Sequence, residues 1–279
     1  MNEEYPVIYH IGLMKTGTTS IQNILKADPA INLILKSRYF NTNKYFTEAY
    51  PKIYKDLINI ESDEVLSRND GFYGLEESLR RIQEVQPKAK IIVTIREQRS
   101  LLLSAYKHHI RQTSDGYTFT EFLHSSSGYN YIKLLNYYNL VNSIEHFFDK
   151  SQIHVFMYED LRADFRRFIT DFYMKLFGQD ILIRIKDAHL NKGLPDDCIS
   201  LKKSLNKYRM FNNKNSLGRI EDFLIRWIIK LTSNYTTGKK KIEWPKDKLC
   251  LELEEKFRES NVQFMNYMDI NIKQHGYLL

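Results

Sequence analysis

The stretch that decides the fold is YPVIYHIGLMKTGTTSIQNILK, Tyr5 to Lys26. Val7-Ile8-Tyr9-His10-Ile11 is a β-prone apolar run, and Gly12-Leu13-Met14-Lys15-Thr16-Gly17 is a short loop. Thr18-Thr19-Ser20 then opens a segment whose Ile21, Ile24 and Leu25 have helical spacing. Strand, glycine loop and hydroxyl-rich helix start together make an anion site. The first turn of a helix has backbone N–H groups without intrahelical partners, and the helix dipole adds partial positive charge there. Gly12 and Gly17 let the backbone approach a phosphate, Lys15 brings a point charge, and the Thr and Ser hydroxyls add donors.

Spacing separates this loop from the common nucleotide-triphosphate loop, G-x-x-x-x-G-K-[ST], in which the lysine follows the second glycine. Here Lys15 precedes Gly17, and Thr18 stands where that lysine would be. Lys15-Thr16-Gly17-Thr18-Thr19 instead resembles the 5′-phosphosulfate loop of the sulfotransferases that use 3′-phosphoadenosine-5′-phosphosulfate (PAPS). That motif is close to P-K-[ST]-G-T-[ST], with Met14 here in place of the proline. The resemblance implies that Lys15, Thr16, Gly17, Thr18, Thr19 and Ser20 hold the cofactor, with backbone N–H groups of Gly17 to Ser20 around its 5′-phosphate. It also implies that Lys15 is catalytic, that no metal is needed, and that the product is 3′,5′-adenosine bisphosphate.

A second signal lies downstream. Pro87-Lys88-Ala89-Lys90 leads into Ile91-Ile92-Val93-Thr94-Ile95, a continuous apolar run that reads as a buried parallel strand. Arg96 stands at its end, and a helix carrying Ser104 follows. A guanidinium fork and a hydroxyl eight residues on can meet one phosphate. Arg96 and Ser104, followed by Ala105-Tyr106, resemble the same family's 3′-phosphate site, R-x7-S and an aromatic. Arg99 adds charge.

The acceptor side is less defined. Ile31 to Phe40 reads as a second strand, and Tyr39, Phe40, Tyr45, Phe46, Tyr50 and Tyr54 follow among cations, which suits a sugar or plain packing. Lys36-Ser37-Arg38-Tyr39-Phe40 loosely matches the strand that lines the acceptor cleft of carbohydrate sulfotransferases, but carries no carboxylate. The next pair is Glu76-Glu77. Many members of the family place a Ser and a Glu at a strand end just before a helix, and Phe72–Leu75 is the expected strand, with a helix over 78–85. On that alignment Glu76 is the candidate base and Glu77 the second. The alternative is acidic decoration of a helix start, which the dipole favours.

His108 and His109 face different sides of one helix and make a poor metal pair. The sequence has neither H-E-x-x-H nor C-x-x-C. Ser125 to Gly128 reads as a loop and 129–148 as helical. Ile153 to Tyr158 reads as a strand ending in Glu159-Asp160-Leu161, whose acids are expected to cap the helix over 163–177 that Gly178 stops. Lys192 and Gly193, in Asn191-Lys192-Gly193, are a shortened likeness of the family's basic nucleotide-closing loop. Ile220, Phe223, Leu224, Trp227, Ile228 and Leu231 form a helical apolar face. Packing on the domain is the expectation for it, and a membrane surface the alternative.

Composition bounds the rest. The chain has 279 residues, 43% hydrophobic and 27% charged, enough for one large α/β domain. Two cysteines argue against a disulfide framework. The apolar runs are too short to span a bilayer, and an acidic start entering a strand is not a signal peptide, so a reducing cytoplasm is expected. Net charge is +7, and residues 201–250 hold 13 Lys/Arg against 4 Asp/Glu, which suits an anionic partner. The expectation is one domain, with a cofactor-binding α/β core over 1–178 and a helical, basic part over 179–279. A central parallel sheet is flanked by helices, and its ligand lies at the carboxyl ends of the strands. The function expected is sulfuryl transfer from PAPS to an acceptor hydroxyl, that of a carbohydrate on the strength of the tyrosine-rich segment, with amine and lipid-linked acceptors left open, no nucleic-acid partner and at most peripheral membrane contact. The rivals are a small-molecule kinase of the same fold and a basic module binding nucleic acid or anionic lipid.

Overall fold

The computed structural model describes residues 8–35, 53–63, 72–178, 194–211, 215–233 and 241–279. Its centre is a sheet of five parallel strands: β1 (Ile8–Gly12), β2 (Ile31–Leu35), β3 (Ile58–Asp63), β4 (Lys90–Ile95) and β5 (Ile153–Met157). Their order is β2-β3-β1-β4-β5. The strand that feeds the glycine loop is therefore central, and the chain leaves it first toward β2 and β3 and later toward β4. This reversal beside β1 is where an open parallel sheet forms a crevice at its carboxyl edge.

All five residues of β1 are buried. A parallel strand covered on both faces has no solvent side, which is why β1 and β4 read as unbroken apolar runs. On one face, Ile21, Ile24 and Leu25 of α1 (Thr18–Ala27) share a core with Ile8, Ile60, Ile92 and Phe156 of the strands. Phe168, Phe172 and Leu176 of α8 (Phe165–Phe177) complete it. The rings of Phe156 and Phe172 lie 4.8 Å apart. Truncating Phe172 to Ala costs about 3–5 kcal/mol by lost transfer energy and cavity. Ile91, Val93 and Ile95 alternate to the other side of β4 and are equally buried. Leu75, Leu79 and Ile82 of α2 (Phe72–Val85) and Leu140, Val141 and Ile144 of α6 (Tyr137–Glu145) are buried as well, and the two helices contact each other.

Four local expectations change. Phe72–Leu75 is the start of α2, not a strand. The strand before that helix is β3, whose Ile58-Asn59-Ile60-Glu61-Ser62-Asp63 hides its nature because polar residues are buried in it. Asn59 is satisfied there: its side chain bonds Tyr54 N, Tyr54 O, Leu57 O and Asn32 at 2.9–3.1 Å. The helix expected over 163–177 is α8, and a separate short helix, α7 (Tyr158–Ala163), precedes it where only capping acids were expected. Asp164, not Glu159 or Asp160, caps α8 by accepting from Arg167 N at 3.0 Å, while Gly178 ends it in the left-handed conformation as expected. Ser126 to Gly128 open a helix, α5 (Ser126–Leu134), instead of forming a loop.

The chain divides into two compact units: 1–98, 133–190 and 254–279 form the first, 99–132 and 191–253 the second. The first contains the sheet. The second is helical, with most of α3 (Gln98–Gln112), α4 (Phe119–His124), most of α5, α9 (Asp196–Lys207), α10 (Ser216–Ser233) and the first residues of α11 (Lys248–Met268). Within it, Tyr106 meets Phe119 edge-on at 5.4 Å, and Phe119 meets Trp244 at 5.4 Å. Lys107 pairs with Asp196 at 2.8 Å. Burial pushes the Lys202 ammonium down to about 8 while it donates to the carbonyls of Arg111 and Thr113. The apolar face expected to pack α10 on the domain does not. Gly218, Ile225 and Ile229 are its buried residues, and Ile225 and Ile229 cluster with Cys198 of α9. Ile220, Phe223, Leu224, Trp227 and Leu231 are exposed.

Candidate active site

The loop after β1 turns through two left-handed residues, Lys15 at φ 70° and Gly17 at φ 86°. Lysine rarely adopts that conformation, so the surroundings must hold it there. Gly17 is the N-cap of α1, and a Cβ on it would lie 2.4 Å from Leu161 Cδ2. Gly12 is closed in the same way: a Cβ would stand 2.5 Å from Thr18 Oγ1. Both glycines are therefore required by close approach, and Gly17 by its φ as well. At the helix start, Ser20 N donates to Gly17 O at 2.9 Å. Of the backbone donors expected at an anion, that of Ser20 is thus already engaged. The amides of Thr18 and Thr19 have no intrahelical carbonyl to reach. Thr18 Oγ1 is buried and has no protein hydrogen-bond partner.

A polar network lies under this loop. Thr16, fully buried, donates from its hydroxyl to Leu13 O at 2.6 Å and shares a 2.8 Å bond with Thr94 Oγ1 of β4. Thr94 lies 3.3 Å from His10 Nε2, and His10 Nδ1 lies 2.9 Å from Ser62 Oγ of β3. Gln22 of α1 donates to Ser62 Oγ at 3.1 Å. Three adjacent strands and the first helix are tied to the loop by side chains alone. Burial lowers the His10 pKa to about 4, so its ring is neutral and bridges two hydroxyls as one donor and one acceptor.

Arg96, at the tip of β4, supports the loop from the side. Its Nη1 donates to Lys15 O at 3.0 Å, and its guanidinium lies 4.4 Å from the ring centre of Tyr158. Burial lowers its pKa, but an arginine stays charged. Its backbone is fixed by the Tyr137 hydroxyl, which donates to Arg96 O. The next residue is fixed by Glu159, whose carboxylate accepts from Glu97 N at 2.9 Å and from the Tyr277 hydroxyl at 3.2 Å. Glu159 is thus a tie for the turn after β4. Its pKa is raised, by burial first.

The other expected residues fall as follows. Ser104 is on α3, in the second unit, whereas Arg96 is in the first. Glu76 is an exposed residue of α2, and Glu77 is held by Arg80 and Arg81 at 2.8 and 2.7 Å, with the Arg80 bond leading the lowering of its pKa. Lys36 to Phe40, Lys192 and Gly193 lie outside the described residues. The sequence reading missed the end of β3. Its last residue, Asp63, pairs with Ile11 in register, one residue before Gly12. Ser62 and Asp63 stand at the end of a strand before α2, the kind of place where the resemblance expects a serine and a carboxylate. Among the described residues, no group of three His, Cys, Asp or Glu is placed to hold a metal.

Residues 8–177, which include the loop, its supporting network and Arg96, match the model of the sulfotransferase domain. Over 115 residues the chain is 30% identical to mouse bifunctional heparan sulfate N-deacetylase/N-sulfotransferase 4, a match that covers 38% of this chain and 13% of that protein. A crystal structure of a sulfotransferase from Alicyclobacillus acidocaldarius superposes with a TM-score of 0.54 and 17% identity, over 74% of this chain and 97% of that one. A mouse sulfotransferase complexed with PAP gives a TM-score of 0.45 and 15% identity, over 96% of this chain and 89% of that one. With the domain model matching more than half of its length, the chain belongs to the sulfotransferase family.

Proposed function

We propose that the protein transfers a sulfuryl group from PAPS to a hydroxyl of a carbohydrate. The observation that carries this is the left-handed turn at Lys15 and Gly17 between the central strand and α1, at the point where the strand order reverses. Successive amides in such a turn, together with a helix start, face an anion. The buried Thr18 hydroxyl without a protein partner fits a site completed by a ligand.

In this reading Lys15 neutralises charge on the oxygen that bridges sulfur and the 5′-phosphate as that S–O bond breaks. The amides of Gly17 to Thr19 hold the 5′-phosphate, with Thr16 fixed below them. Arg96 keeps the Lys15 carbonyl, and so the turn, in place; with Ser104 it serves the 3′-phosphate. The acceptor oxygen forms the new O–S bond and gives its proton to a carboxylate. Asp63 is the first assignment for that base, because its register sets it beside the start of the loop. Glu76, the residue expected from the sequence, is the second, since it is exposed at the start of α2 while Glu77 is occupied by arginines. Lys192 and Gly193 are proposed to close over the nucleotide. The saccharide part of the acceptor rests on the heparan sulfate enzyme among the relatives, which is an N-sulfotransferase; the hydroxyl rests on the family resemblance of the loop and not on that relative. Both cysteines are buried thiols, which fits the proposed cytoplasmic setting.

The test is transfer of labelled sulfuryl from PAPS to a panel of saccharides, amines and phenols, by the wild type, Asp63→Asn and Glu76→Gln. Label in the saccharides, lost about 10²–10⁴-fold in Asp63→Asn, supports the reading. Loss in Glu76→Gln instead moves the base to α2. Label confined to amines or phenols contradicts the acceptor class.

A further inference from the structure

The exposed face of α10 is an ordered stripe. Leu217, Ile220, Leu224, Trp227 and Leu231 recur at three- and four-residue steps, the spacing of one helical face, and Phe223 widens it. Phe223 is 67% exposed and Trp227 53%. The opposite side of the same helix is the buried one, with Gly218, Ile225 and Ile229. The helix is therefore apolar on two faces, one used inside its unit and one turned outward. Contiguous exposed apolar surface of this kind marks an interaction site.

The charges on the helix choose the partner. Arg219, Arg226 and Lys230 are exposed and, at 100° per residue, form a row along one flank of the stripe. The two acids of the helix are spent locally. Glu221 accepts from the backbone N–H of Met210 and Phe211 at 3.1 and 3.2 Å, and Asp222 pairs with Arg226 at 2.7 Å and Arg209 at 3.3 Å. What the helix presents outward is thus aromatic and aliphatic surface bordered by cations, within a segment holding 13 Lys/Arg against 4 Asp/Glu over 201–250. A second copy is a poor occupant. Antiparallel pairing of two such stripes sets the same flank of each helix against its twin, cation facing cation. No described helix is long and apolar enough to cross a membrane, so a lipid contact here lies in the interface plane.

We propose that α10 is a peripheral membrane-docking helix that seats Phe223 and Trp227 in the acyl–headgroup boundary of an anionic lipid surface, with Arg219 and Lys230 on the headgroups. The inference stands on the second unit alone and does not depend on the sulfuryl-transfer reading.

The test is co-sedimentation of the full chain with vesicles of phosphatidylcholine and phosphatidylglycerol in equal parts, and of phosphatidylcholine alone, at low and high salt. The expected result is binding to the mixed vesicles that weakens with salt and without the anionic lipid. The double variant Phe223→Ser/Trp227→Ser should lower partitioning at least about tenfold, and Lys230→Gln or Arg219→Gln about fivefold each. Circular dichroism of each variant should match the wild type, because these side chains are exposed. Trp227 emission should shift to the blue on binding, and Trp227→Phe should lose the shift, leaving the signal of Trp244, the other tryptophan. Failure of the wild type to sediment with mixed vesicles at low salt would overturn the proposal. So would equal binding by the double variant, or a dimer that the double variant abolishes in a chain that ignores vesicles.

Discussion

The loop at the end of β1 and helix α10 break the usual rule of burial in opposite directions. Around the loop, polar groups are inside: His10, Thr16, Ser62 and Thr94 are all buried and bonded to one another. On α10, large apolar groups are outside. Neither pattern is what folding alone favours, since a buried hydroxyl gains little net over its bonds to water and an exposed Trp forgoes its transfer energy. A departure from the rule points to what each region is for. The loop needs a fixed backbone in a strained turn, and directional bonds specify geometry better than apolar contact does. The helix needs only surface, and leaves its apolar face available.

If the loop is the catalytic element, its side chains should be far more sensitive than those of α10. The largest effect belongs to Lys15→Ala, which should lower turnover about 10²–10³-fold in a folded protein. Unchanged turnover would remove the loop from the chemistry. Next comes Arg96→Ala. Because Arg96 holds the Lys15 carbonyl, it should weaken both 3′,5′-adenosine bisphosphate and 5′-AMP, by about 10–100-fold. Ser104→Ala should weaken the bisphosphate alone, by several-fold. Calorimetry with both nucleotides separates the two roles, and an Arg96 variant that discriminates as Ser104 does would reduce Arg96 to a 3′-phosphate ligand.

The buried network makes a pH prediction. His10 is neutral when folded, with a pKa of about 4, against an ordinary 6.5 when unfolded. Between those values the unfolded chain binds the extra proton, so stability is full above about 6.5 and falls as pH drops toward 4, by up to about 3 kcal/mol. His154, half buried, shifts in the same direction. His10→Gln keeps a donor and an acceptor for the two hydroxyls, and its melting temperature should depend less on pH over this window than that of the wild type. Parallel curves would mean that another group sets the acid limit. The smallest effect is on the other side of the comparison. Trp227→Ser should change stability by less than about 0.5 kcal/mol, whereas Ile229→Ala, on the buried face two residues away, should cost about 2–4 kcal/mol. Similar losses in urea denaturation would mean that the stripe is packed.

The loop was legible because everything it needs is contiguous: strand, two glycines, lysine and helix start fall within residues 8–25. Arg96 was legible for the same reason, at the end of an apolar run. Its use was not, since the Lys15 carbonyl it holds is 81 residues away. Glu159 looked like a helix acid, and its partners Glu97 and Tyr277 lie 62 and 118 residues off. β3 was missed because its apolar–polar alternation, Ile58-Asn59-Ile60-Glu61, covers only four residues before Ser62 and Asp63 end it, and because its polar members are buried rather than facing water. For α10 the periodicity gave the face correctly but not its direction. Spacing shows that a stripe exists, and only packing shows which of two apolar sides the protein covers.

The measurement closest to the central claim is calorimetric titration of the wild type with 3′,5′-adenosine bisphosphate in the presence of a chelator, beside ATP with magnesium. The account predicts saturable binding of the bisphosphate without metal, much weaker binding of ATP, and a marked loss of bisphosphate affinity in Lys15→Ala. Tight binding of ATP with magnesium and none of the bisphosphate would contradict it, and would make the loop that of a kinase.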